Sequence, residues 1–169
     1  MKFELLARQA LTRACEELLP APVDEPSHVR PDELRIAAVI GFTNAHVRGS
    51  LGVAASIGGL ERVRRHMGAP RTKRGPEDAL GGLAGMLVGH IRREWSRYGA
   101  SVSLSTPLVI RGVALDVCGR DAGIWLEHAS GVGGDRVVVW LDVHVDSEPT
   151  LPAEPADTGI TSSRNTLMF

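Results

Sequence analysis

DALGGLAGMLVGHIRREWSRYGASVSLSTPLVIRG, residues Asp78 to Gly112, decides the fold. Leu80, Leu83, Ala84, Leu87, Ile91, Trp95 and Tyr98 recur at helical spacing and form one apolar stripe. Pro76-Glu77-Asp78 opens that helix, with proline tolerated in the first turn and acids complementing the dipole. Gly99 ends it. Strands are expected near 101–105 and 108–119. Away from the stripe, Gly82, Gly85, Gly89, Arg92 and Arg93 share the solvent side. Each mid-helix glycine costs on the order of 1 kcal/mol relative to alanine, so Gly81, Gly82, Gly85 and Gly89 carry a cumulative penalty. Either packing requires small residues at 81 and 89, or the glycines leave a bare groove for a partner's helix or backbone.

Outward from this segment, Phe3, Leu6, Ala7, Ala10, Ala14 and Leu18 predict an amphipathic helix over residues 2–19, stopped by Pro20-Ala21-Pro22. Residues 32–43 and 46–55 read as two strands joined by a tight turn at Thr43-Asn44-Ala45. A short helix follows, with Leu60, Val63 and Met67 inward, Arg62, Arg64 and Arg65 outward, and Gly68 as its cap. Strands near 122–129 and 135–146 complete a meander around the turn Gly131 to Asp135. In the last strand Val137, Val139, Leu141, Val143 and Val145 face one way, and Trp140, Asp142, His144 and Asp146 face the other. The fold class is α+β, a largely antiparallel sheet with helices packed on one face. Residues 1–33 form an N-terminal helix and Pro-rich connection, 34–146 the core, and 147–169 a flexible tail rich in Pro, Ser, Thr and acids.

The chain of 169 residues is 43% hydrophobic and 23% charged, and its net charge of −1 argues against charge-driven nucleic-acid binding. With only 4% aromatic residues there is no aromatic interleaving to support a nucleic-acid surface. No run is long enough to span a membrane, and Glu4 falls where a secretory leader would be apolar. The distant pair Cys15 and Cys118 fits buried thiols in a reduced, cytoplasmic protein. The six histidines lack a metal-ligand spacing, and Asp142, His144 and Asp146 read as an exposed strand face; no metal or cofactor is expected. Arg62, Arg64, Arg65, Arg71, Lys73 and Arg74 form a basic cluster with little acidic compensation, able to steer an acidic partner.

The helix, the run Pro107-Leu108-Val109-Ile110-Arg111-Gly112 and the strand His46-Val47-Arg48-Gly49-Ser50-Leu51, in that spatial logic, resemble the CheC/CheX/FliY family, phosphatases of chemotaxis response regulators. The single signature helix matches the CheX-like branch. The resemblance, over roughly residues 34–145, implies a CheX-like fold, a homodimer formed through the sheet, and an outward helix face that docks on a receiver domain. It also implies catalytic Glu and Asn positions that fall here on Gly82 and Gly85, where no side chain can orient the attacking water. The implied function is a non-catalytic adaptor or sequestering partner in two-component signalling. Two alternatives stand beside it. One is a phosphatase using Glu77, Asp78 or His90, although Asp78 and His90 lie about 18 Å apart at 1.5 Å per residue. The other is an assembly module of a motility or polarity complex.

Overall fold

In the computed structural model, residues 2–19, 34–68, 76–115, 123–132, 135–152 and 154–155 are described. The elements are α1 (Phe3–Leu18), β1 (Ile36–Thr43), β2 (Val47–Ala55), α2 (Ile57–His66), α3 (Pro76–Arg97), β3 (Ser103–Leu104), β4 (Leu108–Arg111), β5 (Ile124–Val132) and β6 (Asp135–Val145). The strands form one antiparallel sheet in the order β3-β1-β2-β6-β5, with β4 pairing alongside β3 on the same side of β1.

Alternation along the strands builds the core. Ile36, Ala38, Ile40 and Phe42 of β1 and Val137, Val139, Leu141 and Val143 of β6 share one cluster with Leu80, Leu83, Leu87, Ile91 and Trp95 of α3. α1 adds Phe3, Leu6, Ala7, Ala10, Leu11, Ala14 and Cys15 to that cluster, so the N-terminal helix packs into the same interior as residues 34–146. Phe3 and Phe42 flank Trp95 with ring centroids 5.0 and 5.2 Å away. Burying each such ring contributes roughly 1.5–3 kcal/mol.

The β1–β2 turn falls one residue later than Thr43-Asn44-Ala45. The Asn44 Oδ1 accepts from both the His46 and Val47 amides at 2.8 Å, an asparagine side chain standing in for a backbone turn. Gly99 closes α3 at φ +78, a conformation that favours glycine. Ser56 caps α2, its Oγ accepting from the Gly59 amide at 3.0 Å.

Several expectations are corrected. The strand expected over 108–119 ends at Arg111, because the chain turns through Ala114 (φ 55) and the Leu115 amide donates to the Leu34 carbonyl at 3.1 Å. Residues 116–122 lie outside the described chain. The strand expected over 122–129 continues to Val132, which pairs with Asp135, so Gly131, Val132 and Asp135 belong to strands rather than to the turn. Trp140 does not belong to an exposed face. It is buried in a second apolar cluster behind the sheet with Leu34, Ala37, Ala54 and Val138, and Trp125 stacks on it. Gly52 makes room for that ring, since a Cβ there would stand 1.9 Å from it. The apolar row of β6 faces the helices, and β2 and β5 flank the strand on both sides. Beyond β6, the Glu148 Oε1 accepts from the Phe3 amide at 2.7 Å, Pro149 is buried and Leu151 packs on the core, so this stretch lies against the body.

Candidate functional site: the outward face of α3

Four contacts orient α3. Its apolar stripe is buried against β1 and β2, as its 3.6-residue period requires. On one flank the Arg13 guanidinium of α1 reaches the Glu94 Oε1 at 2.6 Å, and Arg97 reaches the other oxygen at 3.2 Å. Glu94 is 8% exposed, and the paired cations are what make that burial tolerable. One turn earlier, the His90 Nδ1 lies 3.2 Å from the Glu17 Oε2 of α1. On the other flank Glu77 contacts the Arg111 guanidinium of β4, and a Cβ at Gly81 would meet Val109 at 3.7 Å.

What remains outward is a strip carrying Asp78, Gly82, Gly85, Met86, Gly89, Arg92 and Arg93. Gly82, Arg92 and Arg93 are exposed and Gly85 and Gly89 half-exposed, so the five residues singled out from sequence come together on one face. A Cβ at 82, 85 or 89 meets nothing within 4 Å. The packing requirement for small residues at 81 and 89 is therefore absent: Gly81 has ordinary van der Waals room and Gly89 faces open space. Met86, 40% exposed, is the strip's only large apolar side chain and was not singled out from sequence; its position one turn after Gly82 was the signal.

At Gly82 and Gly85 the strip offers no side chain, and the mid-helix amides there are bonded within the helix. The three acid–base alternatives are not gathered into a site. Glu77 is held by Arg111, His90 sits beside Glu17, and Asp78 stands alone at the first turn. Tyr98, placed on the core stripe by spacing, follows the helix end and is half-buried.

The basic cluster is only partly described. Arg71, Lys73 and Arg74 lie outside the described residues. Arg65 is exposed, Arg62 half-buried, and Arg64 is bound by Glu61 through two bonds of 2.9 and 2.5 Å. Those bonds raise the Arg64 pKa and give this one arginine an acidic partner. Behind the sheet, a cleft of about 930 Å³ is bounded by Ser50, Ser105, Arg48, Asp142 and His144. The Asp146 Oδ1 lies 3.2 Å from the Arg48 guanidinium and 3.3 Å from the His144 Nε2, so these two cleft residues share one carboxylate. Among the described residues no group of three or more His, Cys, Asp or Glu side chains converges as a metal site, and no helix is long and apolar enough to cross a membrane.

No protein-family profile and no curated protein matches the chain. Solved structures do. The chemotaxis protein CheX from Vibrio vulnificus is 16% identical over 82% of this chain and 97% of that one, with a TM-score of 0.60. A CheC-like superfamily protein from Shewanella sp. PV-4 is 14% identical over 85% and 99%, with a TM-score of 0.65. CheX in its complex with CheY, BeF3 and magnesium from Borrelia burgdorferi is 12% identical over 83% and 96%, with a TM-score of 0.60. A sheet of this order, backed by these helices and matched along nearly the whole of each neighbour, gives this chain the fold of the CheX- and CheC-like chemotaxis proteins.

Proposed function

We propose that the chain is a non-catalytic docking module of chemotaxis-type two-component signalling. It binds a response-regulator receiver domain through the outward face of α3, with Gly82, Gly85 and Gly89 as the contact floor and Arg92 and Arg93 as its cationic end. The observation that carries this reading is the open strip itself: an exposed helix face, free of side chains at the two positions where catalysis would need them. The likeness of fold to a protein solved with CheY supports the choice of partner. Receiver domains are acidic around their phosphorylation site, which suits the arginines.

The test is titration of receiver domains, with and without beryllofluoride, against the wild-type chain and an Arg92→Glu/Arg93→Glu variant, alongside a phosphoryl-release assay. Saturable binding weakened by the charge reversal, with no faster loss of aspartyl phosphate, is the expected result. Accelerated hydrolysis abolished by alanine at Glu77, Asp78 or His90 would establish an active phosphatase instead. Gly82→Glu combined with Gly85→Asn places both side chains in open space, and some gain of hydrolysis on a bound receiver is expected.

A further inference from the structure

β4 lies at one edge of the sheet, and its chemistry is unlike that of β5 at the other edge. Leu108, Val109 and Ile110 are 61%, 37% and 40% exposed, and Val113 just beyond them is 80% exposed. Successive strand residues face opposite ways. Leu108 and Ile110 therefore stand on the back of the sheet beside Val39 and Ala37, and Val109 stands on the helix side beside Gly81. An edge that is apolar on both faces is one that folded proteins ordinarily blunt with lysine, a bulge or a cover. β4 carries no lysine and no bulge, and its one charge, Arg111, is turned to Glu77. β5, by contrast, exposes Glu127 and, among its described residues, no large apolar side chain.

The backbone decides what can cover this edge. The Ser105 amide donates to the Gly41 carbonyl at 2.9 Å and the Gly112 amide to the Arg35 carbonyl at 2.9 Å. Alternate residues of β1, Ala37 and Val39 among them, thus turn their backbone groups toward this edge. In the register that pairs Ala37 with Ile110 and Val39 with Leu108, those two β4 residues bond to β1, and Val109 and Arg111 turn N–H and C=O outward. No hydrogen bond from another described residue reaches either outward pair. A guest that dries Leu108, Val109 and Ile110 must also take over these groups, and an extended backbone does both. Pro107, with no N–H, and Gly112, whose amide is already used, fence the ladder to a short run. Standard interfaces bury about 800 Å² per partner over about 25 residues, so Leu108 to Arg111 with Val113 offer on the order of 150 Å². That is far below what holds two folded domains together, a second copy of this chain included, and suits a short segment.

We propose that the edge of β4 receives an extended segment of another protein, apolar at three or more successive positions, which adds to the sheet as a strand outside β4. Guest side chains beside Leu108 and Ile110 cover the back of the sheet, and the one beside Val109 packs on the helix side. The backbone of Val109 and Arg111 supplies the hydrogen bonds, and the exposed apolar side chains supply the selection. This inference does not rest on receiver docking through the outward strip of α3.

Residue-resolved amide exchange on the full chain tests this without any receiver. The probe is a synthetic peptide with valine and isoleucine at four central positions and lysine at both ends. In the protein alone, the Val109 and Arg111 amides are expected to exchange freely and the Ile110 amide slowly. Saturating peptide is expected to slow Val109 and Arg111 by about tenfold or more. The same peptide N-methylated at its four central residues, which cannot form the ladder, is expected to leave them unchanged. Val109→Pro removes only an outward donor at an edge strand, so it is expected to melt with the wild type and to lose the peptide. Ile110→Lys, a charge on the same edge, is expected to weaken binding about tenfold. No slowing at about 1 mM peptide, or slowing that survives either the N-methylation or Val109→Pro, overturns the proposal. So do Val109 and Arg111 amides already protected in the protein alone. Protection that dilution removes would place a second copy at the edge, and protection that dilution leaves would place a segment of this chain there.

Discussion

Replacing Gly82, Gly85 and Gly89 together by alanine is expected to stabilise the monomer. Each position sits inside a 22-residue helix, and each added methyl enters space with no atom within 4 Å. Nothing among the described residues resists the change, while the unfolded chain loses freedom and the helix gains propensity. At roughly 0.5–1 kcal/mol per site, the triple variant gains about 1.5–3 kcal/mol. For a chain of this size that corresponds to an upward shift of about 5–10 °C in Tm. Urea melts followed by tryptophan fluorescence measure it. Gly59→Ala is the internal contrast, because its Cβ would lie 2.0 Å from the Arg136 carbonyl oxygen; it is expected to lose stability. A triple variant that melts at or below the wild-type midpoint would refute the reasoning, since it would mean that something within the chain occupies the strip.

Other predictions follow from single contacts. Arg13→Ala leaves the buried Glu94 with Arg97 alone and is expected to cost about 1–2 kcal/mol, a value reduced by the exposure of Arg13; a denaturant melt reads it, and an unchanged midpoint would show that Arg13 does not anchor α1. Burial, with a smaller contribution from Glu16, pushes the Cys15 thiol from an ordinary 9.0 up to about 12. In a Cys118→Ser background it is expected to resist a thiol reagent at pH 8 until the protein unfolds. The folded state then holds more protons than the unfolded state above pH 9, so stability falls as pH rises beyond that value. His128 is shifted the other way, held below 6.5 by burial against the opposing field of Glu16. The unfolded state then binds more protons below 6.5, and stability falls with acid; His128→Gln should flatten that part of the stability-versus-pH curve.

The helix and strand pattern was legible because it is local. The stripe from Leu80 to Trp95 repeats with the helical period, and Val137 to Val143 alternate with the strand period, so both buried faces follow from spacing. What spacing missed depends on distant partners. Trp140 alternates with polar residues along β6, yet Leu34, Ala37 and Ala54 arrive from elsewhere in the chain to cover it. The end of β4 at Arg111 is set by the turn that carries Leu115 to Leu34, and Gly112 is its one local signal. Glu94 leans inward by its place on the wheel, but its partner Arg13 lies 81 residues away. The Glu61–Arg64 pair, by contrast, was readable at three-residue spacing. As for the candidate site, the outward placement of Gly82, Gly85, Gly89, Arg92 and Arg93 follows from the helix alone. Its emptiness required the atoms around it, because a glycine reads the same whether its missing side chain faces a neighbour or open space.

The central claim is that the bare face of α3 docks a receiver domain without acting on its phosphate. The most direct measurement is a calorimetric titration of the source cell's receiver domains, each held with beryllofluoride, into the wild-type chain and into Gly85→Leu. Saturable binding of at least one receiver, lost in Gly85→Leu while that variant remains folded, is the predicted result. Binding to no receiver, or binding that Gly85→Leu leaves unchanged, would contradict it.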